Sequence, residues 1–195
     1  ALAYLIGLPM GIALVLTAKD GLRPHPIIYK VLDFVANIVR SVPFIILLIM
    51  LMPVTKWIVG KSYGPTATIV PLTIAAAPFI ARLVESSLLE VDRGVIEAAQ
   101  SMGAGTWHIV WKVLLAEARV SLIVNATIAL ATILGYSAMS GAVGGGGLGD
   151  VAIRYGYHRY QVGMMMITVV LLVLLVQIMQ YTGTAISKVM DKRNR

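Results

Sequence analysis

The stretch Val162–Thr182 reads VGMMMITVVLLVLLVQIMQYT and contains no charged residue. At a rise of 1.5 Å per residue, about 20 apolar residues form a helix as long as the hydrocarbon core of a bilayer. The run lacks strand-like alternation, and only helices or closed barrels satisfy every backbone polar group in lipid. The stretch therefore predicts a membrane-spanning helix and an all-α membrane protein.

Four further apolar segments precede this one. In chain order, the five predicted spans are 1–18, 31–54, 65–84, 120–138 and 162–182. The first span begins inside an apolar run without an initiator Met, which indicates a chain truncated at its N-terminus. We find no internal repeat, so the sequence predicts a single transmembrane domain, 1–195, with five helices.

Composition agrees with lipid as the solvent. Hydrophobic residues make up 58% of the chain and charged residues 13%, whereas soluble domains carry about 25% charged residues. The net charge of +7 would suggest nucleic acid for a soluble chain. Here the cations flank apolar runs, as in membrane proteins that orient by charge, so we expect lipid and no nucleic acid as a partner.

Several chemistries are not expected in this chain. It has no Cys, and its three His lie in separate segments, so we expect neither a metal site nor a thiol nucleophile. Gly60-Lys61-Ser62 resembles part of a phosphate-binding loop, but Thr55 stands where that motif has its first glycine. We therefore predict no catalytic residue, no cofactor in this chain and no enzymatic activity of its own.

The distribution of Lys and Arg predicts the sidedness. The first loop, the segment 82–119 and the C-terminal tail hold eleven of these sixteen residues, whereas the two alternate loops hold four. Cytoplasmic loops carry the excess of cations. We therefore expect the 85–118 loop and the C-terminus, which includes Lys192, Arg193 and Arg195, to be cytoplasmic.

The loop 85–118 is too long and too polar to be a simple turn between spans. Asp92 is suited to cap a short helix that starts at Arg93. Gly103 and Gly105 would end that helix, because glycine adopts the left-handed cap conformation at little cost. Thr106 would cap a second helix that leads toward the fourth span.

This loop resembles a known signature. Glu97-Ala98-Ala99 is followed after three residues by Gly103 and then by Val113-Leu114-Leu115. The pattern is similar to the "EAA" loop of the permease subunits of bacterial ATP-binding-cassette (ABC) importers. Glu-Ala-Ala alone is ordinary helix sequence, and the glycine spacing between two spans gives the pattern its weight. One departure is Ala116, where the family usually has Pro.

The resemblance implies a coupling helix that docks into a groove on an ATP-hydrolysing subunit. Glu97 would make a charge-assisted bond to a basic residue there. Ala98 and Ala99 would allow close approach of the partner, and Gly103 would permit the sharp exit. The fold implied is that of a type I ABC importer, in the bacterial inner membrane.

Three further strings resemble the methionine-uptake branch of this family. They are RSVPFII at 40–46, APFIAR at 77–82 and GYSAMSGAVG at 135–144. The resemblance implies import of methionine, in its D- or L-form or both. It also implies four kinds of partner or ligand: two copies of an ABC ATPase that hold ATP and Mg²⁺, a second copy of this chain, an extracytoplasmic substrate-binding protein and membrane lipid.

Two groups of polar residues are candidates for the translocation pathway. Tyr136, Ser137 and Met139 end the fourth span on the predicted outer side, where Met139 could form an apolar plug. Lys30, Asp33, Asn37 and Arg40 recur at spacings of 3, 4 and 3 and so share one helix face. That face lies either at the cytoplasmic headgroups or along the wet wall of a vestibule.

Two other functions fit the composition. A secondary amino-acid carrier or channel would work without an ATPase, but such proteins usually have inverted repeats, and five spans divide poorly into repeats. A scaffold subunit without a transport role would leave the loop pattern unexplained. An ABC ATPase in the neighbouring reading frame would favour the importer.

Overall fold

The computed structural model describes residues 1–191, and these residues are almost entirely helical, without a β-strand. The prediction for Lys192, Arg193 and Arg195 concerns residues outside the described range. In chain order, the helices are α1 (Leu2–Thr17), α2 (Pro26–Ser41), α3 (Phe44–Met50), α4 (Met52–Val59), α5 (Pro65–Leu89), α6 (Arg93–Ser101), α7 (Thr106–His108), α8 (Leu115–Glu117), α9 (Arg119–Ser140), α10 (Gly147–Val151) and α11 (Val162–Met190). A π-helical stretch, Ile109–Leu114, joins α7 to α8, and another, Ala152–Tyr157, follows α10.

Three of these helices, α5, α9 and α11, are long and apolar enough to cross a membrane. The predicted spans 65–84, 120–138 and 162–182 lie within them. The helix α1 is apolar but only 16 residues long. The predicted class, an all-α membrane protein, is confirmed.

The structure differs most from the prediction at the second span, 31–54. Instead of one helix, α2 and α3 form a pair bent by 103°. Val42, between them, is extended (φ −85°, ψ 125°) because the ring of Pro43 disfavours the helical conformation in the preceding residue. The chain breaks again before Pro53, which occupies the first turn of α4, where proline is tolerated.

The helix α1 packs closely along α5 through two glycines one turn apart. A Cβ atom on Gly7 would lie 2.7 Å from the carbonyl oxygen of Ala77, and one on Gly11 would lie 2.6 Å from that of Ala81. Two helices can approach this closely only where side chains are absent, as in the small-residue interfaces of membrane helices. These glycines fix α1 against the central helix.

The central helix, α5, contacts α1, α2 and α9. Its buried side chains include Ala76, Ile80, Val84 and Leu88, four residues apart along one face. More than half of its most apolar window is buried, compared with 6% in α9 and in α11. The outer faces of α9 and α11 are therefore available to lipid or to other subunits.

The glycine-rich segment after α9 forms a defined turn. A one-turn 3₁₀ helix, Gly141–Val143, leads into α10, which folds back against the end of α9. A Cβ atom on Gly149 would lie 1.9 Å from the carbonyl oxygen of Ala138, so only glycine allows this reversal. The turn directs the chain toward α11.

Candidate functional site

The short helix predicted in the 85–118 loop is α6. The side chain of Asp92 caps it, because its Oδ1 accepts a hydrogen bond of 2.6 Å from the backbone N–H of Gly94. The helix begins at Arg93, as predicted. The cap satisfies one of the free N–H groups at the helix start.

The exit from α6 depends on Gly103. This residue has φ +77°, and a Cβ atom there would meet nothing within 4 Å, so the backbone conformation alone favours glycine. The next N–H, of Ala104, donates to the carbonyl of Ala99 over 3.0 Å. Gly103 therefore sets the angle at which the chain leaves α6, whereas Gly105, also predicted to adopt the left-handed conformation, is extended.

The predicted cap at Thr106 is wrong. Gly105 occupies the capping position, and α7 has no side-chain cap bond. The hydroxyl of Thr106 instead accepts a hydrogen bond of 3.3 Å from Nε of Arg23 in the first loop. Gly105 is extended, with φ −68° and ψ 155°, so Thr106 is already the first helical residue.

The three residues of the Glu-Ala-Ala motif point in different directions. Ala99 is buried in the core cluster that contains Ile109, Val110 and Leu114, so it anchors α6 to its own chain and is not available to a partner. Glu97 and Ala98 are exposed. Glu97 also lines a cleft of about 530 Å³ between α6 and the first loop.

Exposed apolar side chains accompany Glu97 and Ala98 on the same loop. Met102 is 82% exposed, and Trp107 and Trp111 form an edge-to-face pair with ring centroids 5.8 Å apart. Exposed apolar groups of this size are typical of interaction surfaces. These residues were not among the predicted site residues, although two Trp four residues apart in a polar loop were a visible signal.

The first loop holds α6 in place from the side. Oδ2 of Asp20 lies 3.6 Å from a guanidinium nitrogen of Arg93 at the start of α6, and Arg23 binds Thr106 just beyond its end. Exposed pairs of this kind contribute little to stability, about 0–1 kcal/mol. Their placement at both ends of α6 still restricts its orientation.

The base of the loop is closed by hydrogen bonds between α5 and α9. Nδ2 of Asn125 donates to Oγ of Ser87 over 2.7 Å and to the carbonyl oxygen of Leu83 over 3.2 Å. The hydroxyl of Ser121 donates to the same Oγ over 3.2 Å. Ser87 is completely buried, so the contact is shielded from water and ties the two helices that carry the loop.

The predicted gate residues are not gathered into one site within the chain. The ring of Tyr136 stacks on that of Phe44 in α3, with centroids 4.6 Å apart and planes within 7°. Ser137 and Met139 are exposed, Met139 by 53%. Tyr136 therefore has a packing role between α9 and α3, whereas Met139 is free to meet a group from outside the chain.

Only part of the predicted polar face of α2 makes hydrogen bonds or ion pairs within the chain. Nη2 of Arg82, in α5, binds Asp33 and donates to Oδ1 of Asn37 over 3.0 Å. Nη1 of the same guanidinium binds Glu85 over 2.7 Å. Arg40 is exposed. The sequence predicted Arg82 only as a cytoplasmic cation and not as part of this cluster, although Glu85 follows Arg82 by one helical turn.

Residues 1–191 contain no group of three or more His, Cys, Asp or Glu side chains placed to hold a metal ion.

The chain is similar to known membrane transport proteins over nearly its whole length. A family profile described as "Binding-protein-dependent transport system inner membrane component" matches residues 4–195. The chain is 53% identical over 193 residues to a protein of Vibrio cholerae named "Probable D-methionine transport system permease protein MetI", covering 99% of this chain and 86% of that one. It is 43% identical over 180 residues to the "Methionine import system permease protein MetP" of Bacillus subtilis, covering 92% and 81%.

The fold is similar to that of solved transporters. A chain in the solved structure "Inward facing conformations of the MetNI methionine ABC transporter" superimposes with a TM-score of 0.96 at 48% identity, covering 98% of this chain and 88% of that one. A second chain, from an amino-acid ABC transporter, gives a TM-score of 0.69 at 20% identity. At that identity, the second likeness shows only a shared fold.

Proposed function

The chain belongs to the family of binding-protein-dependent transport system inner membrane components, and from that premise we propose that it is the membrane-spanning permease subunit of an ATP-driven methionine importer. The proposal rests on the position of α6. Its exposed Glu97 and Ala98 lie on a loop whose base is tied to α5 and α9. The names of the relatives and of the solved transporter support methionine as the substrate.

In this mechanism, two copies of the chain form the pore, and each copy docks α6 on one ATPase subunit. Two-fold symmetry is the commonest way to complete such an assembly. ATP binding draws the ATPase subunits together and moves each docked α6. Since α6 is anchored through Ala99 and the loop base through Asn125, the displacement reaches the spanning helices. An outer binding protein delivers methionine, and ATP and Mg²⁺ bind to the partner ATPase.

The decisive test is reconstitution. The chain, a cognate ABC ATPase and the binding protein are placed in liposomes, and uptake of labelled L- and D-methionine is measured. We expect uptake only with all three components and with ATP. Uptake driven by an ion gradient without the ATPase would contradict this proposal and favour a secondary carrier. Uptake of a different solute with the same components would correct the substrate alone.

We propose that the loop 85–118 and the C-terminus are cytoplasmic, and single cysteines can test this because the chain has no native Cys. Ser101 and Lys61 are both exposed. In intact cells, a membrane-impermeant maleimide should label a Lys61→Cys chain and leave a Ser101→Cys chain unlabelled until the membrane is opened. The reverse pattern would place α6 outside, out of reach of any ATPase.

We propose that Met139 contributes to the outer gate by contact with its symmetry mate. The thioether is flexible and apolar, so two such side chains near the dimer axis would exclude water and still separate at little cost. A Met139→Cys chain should form a disulfide-linked dimer in the resting complex and lose it when ATP hydrolysis is trapped. Met50, which is 58% exposed on α3, provides the control, and a Met50→Cys chain should not crosslink. If Met139→Cys forms no dimer in either state, its role is packing.

A further inference from the structure

The ion pairs around Arg82 leave Lys30, in α2, without a partner. Lys30 lies one turn before Asp33 on the same face, a spacing at which the two would normally pair. In the structure, Asp33 binds Arg82 instead. Across residues 1–191, no carboxylate lies within ion-pair distance of Lys30, and its side chain is exposed.

Lys30 lies on a shallow, open cleft along α2, and the residues that line the cleft all belong to α2 and to Val42 at its end. Asp33, Asn37 and Ser41 provide a carboxylate, an amide and a hydroxyl along its polar side, and Phe34 and Ile38 provide apolar surface. Phe34 is 64% exposed and Ile38 is 48% exposed.

The composition of the cleft fits one class of solute. An α-amino acid with an apolar side chain carries a carboxylate, an ammonium group and an apolar substituent. Lys30 can bind the carboxylate, and Asp33, whose side chain is 35% exposed, has lone pairs left for the ammonium group. Lys30 and Arg82 balance Asp33 and Glu85, so the cluster as a whole is neutral and favours a zwitterion over a solute with net charge.

Arg82 and Asn37 fix the carboxylate of Asp33. The guanidinium binds it from α5, and Nδ2 of Asn37 donates to Oδ2 of Asp33 over 3.2 Å. Glu85, which is buried, holds the guanidinium from the other side. A charged group positioned by such a network needs little reorganisation when a ligand arrives.

We propose that this cleft is a low-affinity transit site for zwitterionic apolar amino acids, with Lys30 as the carboxylate ligand and Asp33 as the ammonium ligand. The proposal rests on the proposed function and adds a binding site in the permease itself. A cleft open on one side binds weakly, which suits a pathway, because a transit site must release its solute as readily as it accepts it.

The test is ligand-observed NMR of L-methionine with the permease–ATPase complex in lipid nanodiscs, without ATP or binding protein. We expect saturable binding with a dissociation constant on the order of 1 mM. Lys30→Met should weaken it at least about tenfold, since a hydrogen bond to a charged group is lost, and Lys30→Arg should retain it. Any binding of methionine to the ATPase is the same in all variants, so the differences report on the cleft.

Two controls test whether binding is specific to this cleft and to a zwitterion. Arg40 is an exposed cation of the same helix that does not line the cleft, so Arg40→Met should bind as the unaltered chain does. Methionine methyl ester and N-acetylmethionine carry net charge and should compete at least about tenfold more weakly than methionine. Equal losses in Lys30→Met and Arg40→Met, or equal competition by all three solutes, would contradict the proposal.

A transport assay distinguishes failure of the transit site from failure of the proposed function. In the reconstituted importer, Lys30→Met should lower methionine uptake while ATP hydrolysis stimulated by the binding protein stays within about twofold, because Lys30 makes no contact within the chain that assembly requires. Normal uptake by Lys30→Met would overturn the transit site and leave the proposed function standing. Absence of methionine uptake in the unaltered complex would overturn the proposed function itself.

Discussion

Replacement of Gly11 by valine is expected to separate α1 from α5 and to lower the melting temperature of the purified chain markedly. A Cβ atom at this position would lie 2.6 Å from the carbonyl oxygen of Ala81 and 2.7 Å from Cβ of Val84. Both neighbours belong to the rigid central helix, so the helices must move apart. Overpacking of a core costs about 1–3 kcal/mol, and a contact with backbone places this substitution at the upper end. Gly7→Val should act in the same way, through Ala77 and Ile80.

Gly135 provides the matched control for this prediction. It lies within the spanning helix α9, and a Cβ atom there would meet nothing within 4 Å. Gly135→Val makes the same chemical change in the same kind of element and should leave the melting temperature nearly unchanged. Both variants are compared in detergent by thermal unfolding and by the yield of monodisperse protein. Equal melting temperatures for the two variants would show that α1 does not depend on close approach to α5.

The sequence predicted the positions of the helices better than the contacts between them. Length and hydropathy located α5, α9 and α11, because a helix that crosses the hydrocarbon core must be apolar along most of its length. The bend between α2 and α3 was also encoded, in Val42-Pro43, but the apolar run continues through it and hydropathy averages over the break. The Gly7–Gly11 interface needs knowledge of which helix lies opposite, and periodicity within one segment does not provide it.

The same distinction applies to the candidate site. Local rules were sufficient for the cap at Asp92 and for the turn at Gly103, since both depend on neighbours within a few residues. The burial of Ala99 depends on Val110 and Leu114, which approach only after the loop folds back on itself. The pairing of Arg82 with Asp33 joins residues 49 positions apart, and the sequence could place Asp33 on a face without identifying what that face meets.

Charge reversal at Glu97 is expected to lower methionine uptake at least about tenfold while the complex still inserts in the membrane. Glu97 is exposed on α6, outside the spanning helices, and no residue of the described part of the chain pairs with it. Its carboxylate is therefore available to a cation of the ATPase. Because Ala99 anchors α6 and the loop base is tied through Ser87 and Asn125, α6 cannot rotate to take the new charge away from the partner.

The expected loss in Glu97→Lys is at least tenfold, since truncating one member of a buried interfacial charge pair costs roughly 2–5 kcal/mol and reversal adds repulsion. Uptake of labelled methionine and ATP hydrolysis are measured on the same reconstituted complex, and uptake should fall more than hydrolysis. Glu117→Lys makes the same change at another exposed acid of the loop and should transport normally. A Glu97→Lys chain with normal uptake would remove the docking role of α6. Rescue of that chain by reversing a single cation on the ATPase would identify the partner of Glu97.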